Sequence, residues 1–382
     1  MDILLYINNI LWNYAALWIL LLGGVYFSIN LRFVQIAYFL TALANLVKQK
    51  KSTHHISSFQ ALCTSLAQRV GTGNLAGVAT ALSAGGEGAI FWMWMSAILG
   101  SATSFVECTL AQIFKVRKSD GFYGGPAYYI HKGLNNKKLA IIFSFLLIIS
   151  MGFVLNAVQS NTITQGLAYA LKINSLHEIA LIIALVSGII IFGGLKRISK
   201  TAEFIVPIMS FIYLFLTIWV IFNHFDQLFF IIEKIFTKAF SWQSLGGGIA
   251  GVSIKEAFRY GIARGLYSNE AGWGSAPNAA ATALVKHPVE QGLLQMIAVY
   301  IDTLLICSCT AFMILLAPID IHSNSGIALT QEAASFHFGN IGNLFIAIAI
   351  ILFGVTTILG NTFYGEVNIR FLTSKKSYII FY

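Results

Sequence analysis

The sequence contains few charged residues. Only 10% of its 382 residues are Asp, Glu, Lys or Arg, whereas a soluble globular domain carries about 25%. Hydrophobic residues make up 57% of the chain, and a soluble fold of this length could not bury so much apolar surface. Lipid is the solvent that matches this composition, so the sequence predicts an all-α polytopic membrane protein.

Residues that build catalytic, metal or disulfide sites are also scarce. The four cysteines all lie in apolar segments and are interpreted as packing residues: Cys63, Cys108, Cys307 and Cys309. The sequence has no HExxH or GxSxG motif and no repeated Cys/His spacing, so a membrane-embedded enzyme is not expected. No symmetric filter segment indicates an ion channel. The net charge of +9 does not indicate nucleic-acid binding, because Lys and Arg form short clusters between apolar stretches.

Nine segments are apolar and long enough to cross a bilayer as helices, which takes about 20 residues. They lie at about 11–31, 56–83, 88–114, 140–170, 177–195, 202–222, 250–284, 290–316 and 341–368. With residue 1 outside the cell, most of the Lys and Arg residues between these segments fall on the cytoplasmic side. The pattern therefore predicts an N-terminus outside and a C-terminus in the cytoplasm. Residues 33–50 and 326–337 are predicted to be amphipathic or interfacial helices.

Two of the nine segments are interrupted near their middles, at QRVGTGNLAG (68–77) and SNEAGWGSAPN (268–278). Paired glycines weaken a helix, and Pro277 removes a backbone donor. Unsatisfied backbone in lipid is costly, so such a break persists only where it lines a cavity or is buried in protein. Single glycines of this kind are often helix-packing residues. Two matched interruptions with polar residues instead predict the binding site of a transporter with inverted repeats.

An interrupted helix exposes backbone groups of both polarities. N–H groups at the start of a half-helix can bind a carboxylate, and carbonyl groups at the end of a half-helix can bind Na⁺. An amino acid has one carboxylate and one ammonium group. Two interruptions at membrane depth are therefore suited to an amino acid and a coupling cation.

Motifs along nearly the whole chain resemble those of the alanine/glycine:cation symporters, also called sodium:alanine symporters. The matching stretches are RVGTGNLAGVATAL (69–82), FWMW (91–94), GFYGGPAYYI (121–130), Gln159-Ser160-Asn161, ARGLYSNEAGWGSAPNAAATA (263–283), HPVEQGL (287–293), VYIDT (299–303) and FYGE (363–366). The resemblance implies a LeuT-type inverted-repeat fold with an extra N-terminal helix. It also implies cotransport of a small neutral amino acid, alanine or glycine, with Na⁺ or H⁺ across the plasma (inner) membrane into the cytoplasm.

The resemblance also divides the chain. It assigns residues 1–55 to the extra transmembrane helix and a basic cytoplasmic segment, 56–222 to a first five-helix repeat, 223–249 to an external loop, 250–370 to a second repeat of three helices, and 371–382 to a cytoplasmic tail. Since the family continues with two further helices, the chain is expected to lack the last two. The alternatives are therefore a non-transporting truncated remnant or a membrane protein of another class.

The match to the family motifs supplies candidate site residues. The predicted substrate-binding residues are Thr72, Gly73, Asn74, Gln159, Tyr267, Gly272, Trp273, Gly274, Thr357 and Asn361. The predicted Na⁺-binding residues are Gly71, Thr356 and Thr357. A membrane Gln is often only an interhelical hydrogen-bond residue, and helical Thr hydroxyls usually bond to the preceding turn. No organic cofactor, nucleic acid or protein partner is expected, and the lipid bilayer is the expected surrounding.

Two further expectations concern side chains in or near the site. Asn361 stands where the family commonly has a Trp, which predicts a roomier pocket with altered selectivity. Ionisable residues inside the membrane are functional candidates because they are costly there; these are Arg69, Glu107, Glu270, Asp302 and Glu366. Glu270 is predicted to pair with Arg69 or Arg264, and an interfacial position is the alternative for Glu107 and Asp302.

Overall fold

The computed structural model describes residue 6 and residues 11–47, 56–118, 121–172, 176–240 and 254–373. The basic residues predicted for the first inner loop (Lys48, Lys50 and Lys51) lie outside the described residues. So do the end of the predicted external loop at 241–249 and most of the predicted tail, at 374–382.

The described residues form helices and one short β-ribbon. In chain order they are α1 (Ala16–Asn30), α2 (Val34–Ala37), α3 (Phe39–Val47), α4 (Ser58–Arg69), α5 (Val78–Gly85), α6 (Gly88–Ile113), β1 (Val116–Lys118), β2 (Gly121–Tyr123), α7 (Pro126–Gly133), α8 (Lys137–Ile149), α9 (Asn156–Leu171), α10 (Leu176–Ile191), α11 (Gly194–Asn223), α12 (Phe225–Phe240), α13 (Ile254–Asn269), α14 (Ala276–Ala280), α15 (Pro288–Val299), α16 (Ser308–Leu315), α17 (Ile327–Phe338) and α18 (Asn340–Leu372). Wider π turns lead into α1, α5, α9 and α16, at Leu11–Ala15, Gly73–Gly77, Ser150–Leu155 and Tyr300–Cys307.

Each of the nine predicted segments forms helix over most of its described residues, on both sides of the break in the two interrupted ones, which confirms an all-α membrane protein. Five continuous helices have the length and apolar composition of a membrane span: Gly88–Ile113, Lys137–Leu171, Gly194–Asn223, Pro288–Leu315 and Asn340–Leu372. Two more, α1 and α10, are shorter apolar helices. The remaining two segments are the interrupted ones, in which neither half is long enough to cross a bilayer alone.

The two interrupted helices lie at the centre of the molecule. The first (α4 and α5) packs against α18, α11 and α13, and the second (α13 and α14) packs against α6, α4 and α18. Peripheral helices instead direct large apolar side chains outward: Phe204 and Phe211 of α11 are 70% and 69% exposed. A surface of this kind is suited to lipid contact, so the fold separates a polar, protein-enclosed centre from an apolar rim.

Local sequence signals account for several helix starts. At α4, the Ser57 hydroxyl accepts the N–H of Gln60 at 3.1 Å while the Gln60 side chain accepts the N–H of Ser57 at 3.0 Å, which is a capping box. Proline occupies the first position of α7 and α15, where no backbone donor is needed. These caps determine where the helices around the centre begin.

Two elements differ from a simple series of spans. The antiparallel β-ribbon pairs Val116 with Tyr123, and the sequence analysis did not predict it. The predicted helix at 326–337 is confirmed as α17, with one face buried against the protein. Its Thr330 hydroxyl donates to the carbonyl oxygen of Leu75 at 3.1 Å, so α17 lies over the half-helix that follows the first interruption.

Candidate functional site

The first interruption separates α4, which ends at Arg69, from the π turn that begins at Gly73. The N–H of Gly71 donates to Oδ1 of Asn74 at 2.8 Å, and the N–H of Thr72 donates to Oε1 of Gln159 at 3.2 Å. Both backbone groups are thus satisfied by side-chain amides instead of helical carbonyls, which meets the requirement for a buried break.

The second interruption runs from Glu270 to Ser275, between α13 and α14. Gly272 and Gly274 have φ angles of 83° and 73°, and Glu270 has 53°. Glycine adopts this left-handed region at no steric cost, whereas a side chain at φ > 0 is strained. The Gly-X-Gly sequence therefore lets the chain turn here, and Glu270 is held in an uncommon conformation beside it.

The N–H groups of the second interruption that have no helical partner donate to a protein carboxylate. Glu107, which is buried on α6, accepts from the N–H of Gly272 at 3.4 Å and from the N–H of Gly274 at 3.3 Å. The sequence analysis expected a substrate carboxylate at such groups. In this structure the carboxylate of Glu107 occupies the same position and is enclosed by protein, while its depth in the membrane stays a prediction.

Glu270 is also buried, and its partners are neutral. The amide of Gln68 donates to one carboxylate oxygen, and the hydroxyl of Ser275 donates to the other at 2.5 Å. The predicted ion pair with Arg69 or Arg264 is wrong: among the described residues neither cation lies within 4.0 Å of a carboxylate oxygen. Arg69 instead donates to Ser104 of α6 and to a backbone carbonyl of α15, each at 3.1 Å, so its guanidinium is held by neutral oxygens.

Asp302 lies in the π turn between α15 and α16 and is 0% exposed. Its carboxylate accepts from Asn74 Nδ2 at 2.7 Å, from the Ser268 hydroxyl at 2.8 Å and from the Thr303 hydroxyl at 2.8 Å. Asn74 belongs to the first interrupted helix and Ser268 to the second. Asp302 therefore links the two, and its depth in the membrane stays a prediction.

Between the interruptions lies a small central cavity of about 10 Å³, room for about one water molecule. It is lined by Gln68, Arg69, Gly71, Gly73, Leu155, Gln159, Tyr267, Ser268 and Glu270. Four of the predicted site residues, Gly71, Gly73, Gln159 and Tyr267, thus meet at one point, where they are joined by the Glu270 carboxylate. In this conformation the side chains that line the central cavity close it.

A larger outer cavity of about 410 Å³ adjoins the central one. It is lined by Thr72, Gly73, Ala76, Gly77, Thr80, Val158, Thr162, Gln165, Tyr169, Arg264, Tyr267 and residues 325–328. Gly73 and Tyr267 line both cavities, and the Tyr267 ring passes 3.3 Å from where a Cβ at Gly73 would stand. The hydroxyl of Tyr267 is buried without a hydrogen-bond partner among the described residues. Tyr267 therefore separates a closed centre from an open outer space.

The predicted cation residues are only partly brought together. A Cβ at Gly71 would overlap the hydroxyl oxygen of Thr357, so this glycine permits α18 to approach the first interruption. The Thr357 hydroxyl lies 3.1 Å from the carbonyl oxygen of Ala67 and 2.8 Å from that of Phe353. The Thr356 hydroxyl instead bonds to carbonyls of its own helix, at 2.8 and 3.0 Å. Hydroxyl and carbonyl oxygens at the end of a half-helix are the ligands that coordinate Na⁺ in transporters.

The whole chain matches a single protein family. The pattern of the "Sodium:alanine symporter family" covers residues 1–382. The chain belongs to this family. Its relatives are transporters and not enzymes, which confirms the resemblance drawn from the motifs.

Alignments with relatives span nearly all of this symporter and most of each relative. It is 46% identical over 381 residues to the probable sodium/glutamine symporter GlnT of Bacillus subtilis (strain 168), an alignment that spans 98% of this chain and 78% of that protein. It is 43% identical over 377 residues to the amino-acid carrier protein AlsT of the same organism, spanning 98% and 79%. It is 34% identical over 383 residues to the sodium/alanine symporter AgcS of Methanococcus maripaludis, spanning 97% and 83%.

A solved structure supports the fold. A mutant of the manganese transporter of Eremococcus coleocola superposes with a TM-score of 0.52 at 14% identity, covering 87% of this chain and 68% of that one. At this identity the likeness concerns architecture alone. The chain therefore shares the helical architecture of that protein, and the LeuT-type repeat assignment stays a prediction.

Two predicted residues of this symporter lie beside the site rather than in it. The Trp273 ring packs against Trp12 and Tyr267, with centroids 6.5 and 6.0 Å apart. Asn361 accepts from Gln68 at 3.1 Å and donates to Asn156 at 2.8 Å. It is among the lining residues of neither the central nor the outer cavity, and Gln68 connects it to the lining of the central one. The roomier pocket stays a prediction.

Gln68 and Ser268 line the central cavity but were not among the predicted site residues, although both lie in the interrupted motifs. A polar side chain directly before a break is the signal that could have indicated them. Glu366, a functional candidate from the sequence, forms an ion pair with Arg370 one turn later, at 2.7 Å. That ion pair gives Glu366 a structural role at the end of α18.

Proposed function

We propose that this chain carries a small neutral amino acid, alanine or glycine, together with Na⁺ into the cytoplasm by alternating access. The observation that supports this is the convergence of both interrupted helices on one buried polar cavity. Backbone groups near that cavity are bound by side chains that substrate or ion could displace. Membership of a sodium-coupled amino-acid symporter family supports the same function.

The central cavity is closed in this conformation and has to widen before an amino acid can enter it. Gly71 and Gly73 contribute no side chains to its wall, yet the space is nearly closed by Tyr267 and Gln159. The substrate carboxylate would displace the Gln159 oxygen from the N–H of Thr72, and the ammonium group would lie towards Glu270. A relative 46% identical is named for glutamine, so glutamine is the competing substrate that any assay must include.

For the coupling ion, Na⁺ would be held by Thr357 and Thr356 together with backbone oxygens around Gly71. The short approach between Thr357 and the carbonyl oxygen of Ala67 supports this position. H⁺ is the alternative, because Asp302 and Glu270 are buried carboxyl groups beside the two interruptions. Such groups are costly in the membrane and are typical of proton relays.

In the proposed cycle the outer cavity is the access route from outside the cell, with the N-terminus on that side and the C-terminus in the cytoplasm. Tyr267 would move to admit substrate to the centre. The helices on the opposite side would then open, as repeat helices rock around a midplane site. The described conformation corresponds to a state in which the outer cavity is open and the centre is closed.

The test is uptake and counterflow of labelled alanine, glycine and glutamine by the purified chain in proteoliposomes. We expect alanine or glycine uptake that requires an inward Na⁺ gradient and is lost when the gradient is collapsed. Replacing the Na⁺ gradient by a pH gradient separates Na⁺ from H⁺ coupling. Preferred exchange of glutamine would reassign the substrate, and absence of any exchange would support a non-transporting chain.

A further inference from the structure

Arg264 lies on α13, one turn before Tyr267, so both side chains occupy the same face of the helix. It is partly exposed and lines two adjoining spaces, the outer cavity of about 410 Å³ and a second cavity of about 390 Å³. Tyr267 lines the same two spaces as well as the central cavity. The guanidinium therefore stands beside the ring that closes the site.

Arg264 has no ion pair or hydrogen bond to any side chain in the described part of the chain. Among the described residues it is also the single charged one in the lining of the outer cavity. The second cavity adds Arg259, whose guanidinium lies 3.9 Å from the Glu256 carboxylate on the same helix turn. The two spaces thus contain cations, and no carboxylate belongs to the described part of their linings.

The remaining lining of the outer cavity offers neutral hydrogen-bonding groups. Thr162 and Gln165 of α9 face the cavity, and Ser325 faces it from the segment before α17. An arginine side chain presents planar N–H donors that match a carboxylate bidentately. A cavity of several hundred cubic ångströms is large enough for a free amino acid, whereas the central one, at about 10 Å³, is closed.

We propose that Arg264 and the outer cavity form a first binding site for the carboxylate of the amino-acid substrate, occupied before the substrate passes Tyr267. This inference rests on the proposed function, since it concerns the same substrate. Arg264 binds the carboxylate, and the neutral side chains of α9 lie where they can contact the rest of the molecule. The site concentrates a zwitterion next to the closed centre without taking part in ion coupling.

The partial exposure of Arg264 determines the size of the effect. A charge open to a water-filled cavity is screened by salt, so its contribution is modest and depends on ionic strength. Losing it should weaken capture of substrate while leaving the later translocation step intact. The expected signature is a raised KM with a nearly unchanged kcat.

The test compares Arg264→Gln, Arg264→Lys and Arg259→Gln in proteoliposomes with labelled alanine, at fixed Na⁺ and varied choline chloride. Arg259 is the matched control, because it lies on the same helix and is already close to Glu256. We expect Arg264→Gln to raise KM about tenfold, with kcat within about twofold of the wild type, as for a lost charged hydrogen bond. Arg264→Lys should retain most of the affinity, and the salt dependence of KM should be weaker in Arg264→Gln.

Several results would overturn the inference. These are an unchanged KM in Arg264→Gln, an equal rise in Arg259→Gln, or a fall in kcat at constant KM. A wild-type KM that changes when gluconate replaces chloride would assign Arg264 to a chloride ion instead. Equilibrium binding of labelled alanine to the detergent-solubilised chain separates this inference from the proposed function. A wild-type chain that binds alanine without transporting it refutes symport, and the affinity of Arg264→Gln still tests the outer site.

Should Arg264→Gln fail to fold, as judged by gel filtration, the wild type still decides. A KM for alanine that does not rise with choline chloride would contradict a screened cation at the outer site. The inference would be supported if the wild-type KM rises with salt and the KM of Arg264→Lys stays within about twofold of the wild-type value.

Discussion

Asn74 and Asp302 are 228 residues apart in the chain, and Nδ2 of Asn74 donates to Oδ1 of Asp302 at 2.7 Å. The other atom of the Asn74 amide, Oδ1, accepts the N–H of Gly71 at 2.8 Å inside the first interruption. Asp302 in turn accepts from Ser268, just before the second interruption. One asparagine and one buried carboxylate therefore connect the two breaks to each other.

This link predicts unequal effects of two substitutions at Asp302. Asp302→Ala leaves the donors of Asn74, Ser268 and Thr303 without an acceptor and should lower stability by about 1–3 kcal/mol. Asp302→Asn keeps one acceptor oxygen, and the two hydroxyls can rotate to accept from its amide, so its loss should be smaller. Thermal unfolding of both variants in detergent measures the difference. Equal losses would contradict the link.

Glu107 should be required for the shape of the second interruption. Glu107→Ala removes the acceptor for the N–H groups of Gly272 and Gly274, which costs about 1–3 kcal/mol when donors are left buried and unsatisfied. Glu107→Gln keeps one acceptor oxygen and should lose less. Melting temperature and alanine uptake should fall in the same order. If Glu107→Ala were as stable as the wild type, the backbone would have another partner.

The approach of α18 to the first interruption predicts a specific coupling between Gly71 and Thr357. In Gly71→Ala the added methyl group overlaps the Thr357 hydroxyl oxygen, and overpacking of this kind costs about 1–3 kcal/mol. Thr357→Ala removes that oxygen, so the double variant should regain part of the stability lost in Gly71→Ala. A double-mutant cycle on melting temperatures measures the coupling. Strictly additive losses would exclude the contact.

The Na⁺ dependence of transport should distinguish two neighbouring threonines. Thr357→Val keeps the side-chain shape but removes the hydroxyl that reaches Ala67, and we expect about a tenfold rise in the Na⁺ concentration for half-maximal uptake. Thr356→Val removes a hydroxyl bonded to its own helix and should have a smaller effect. Thr362→Val is the control, because Thr362 bonds to its own helix at 2.9 Å. Equal effects at all three positions would remove Thr357 from the ion site.

Lys115, which lies outside the membrane spans, should make the stability of the chain depend on pH. Burial lowers the pKa of Lys115 to about 8, from the ordinary 10.5. The folded chain then loses this proton at lower pH than the unfolded chain. Between about pH 8 and 10.5 the unfolded state therefore binds more protons, so this group's contribution to stability rises with pH. We expect the melting temperature of the wild type to rise relative to Lys115→Met across this window. A constant difference would contradict the shift.

Much of the architecture could be predicted from the sequence. The nine apolar segments and both interruptions follow from composition and glycine spacing, because a bilayer requires long apolar helices and tolerates broken ones only inside protein. The convergence of Gly71, Gly73, Gln159 and Tyr267 followed from family motifs. The partners of Glu270 could not be predicted this way, because Gln68 reaches it only through the packing of the two interrupted helices and Ser275 only through the turn of the second break.

The sequence by itself determined that this chain is a helical membrane protein with two broken helices, since apolar length and paired glycines act locally along the chain. Only the tertiary structure decided which groups meet at the breaks. Glu107 bonds to Gly272 and Gly274 from 165 and 167 residues away, and Asn74 meets Asp302 across the molecule. Contacts of this kind depend on how helices pack, and a short buried polar side chain bonds to whichever partner the packing brings within about 3 Å.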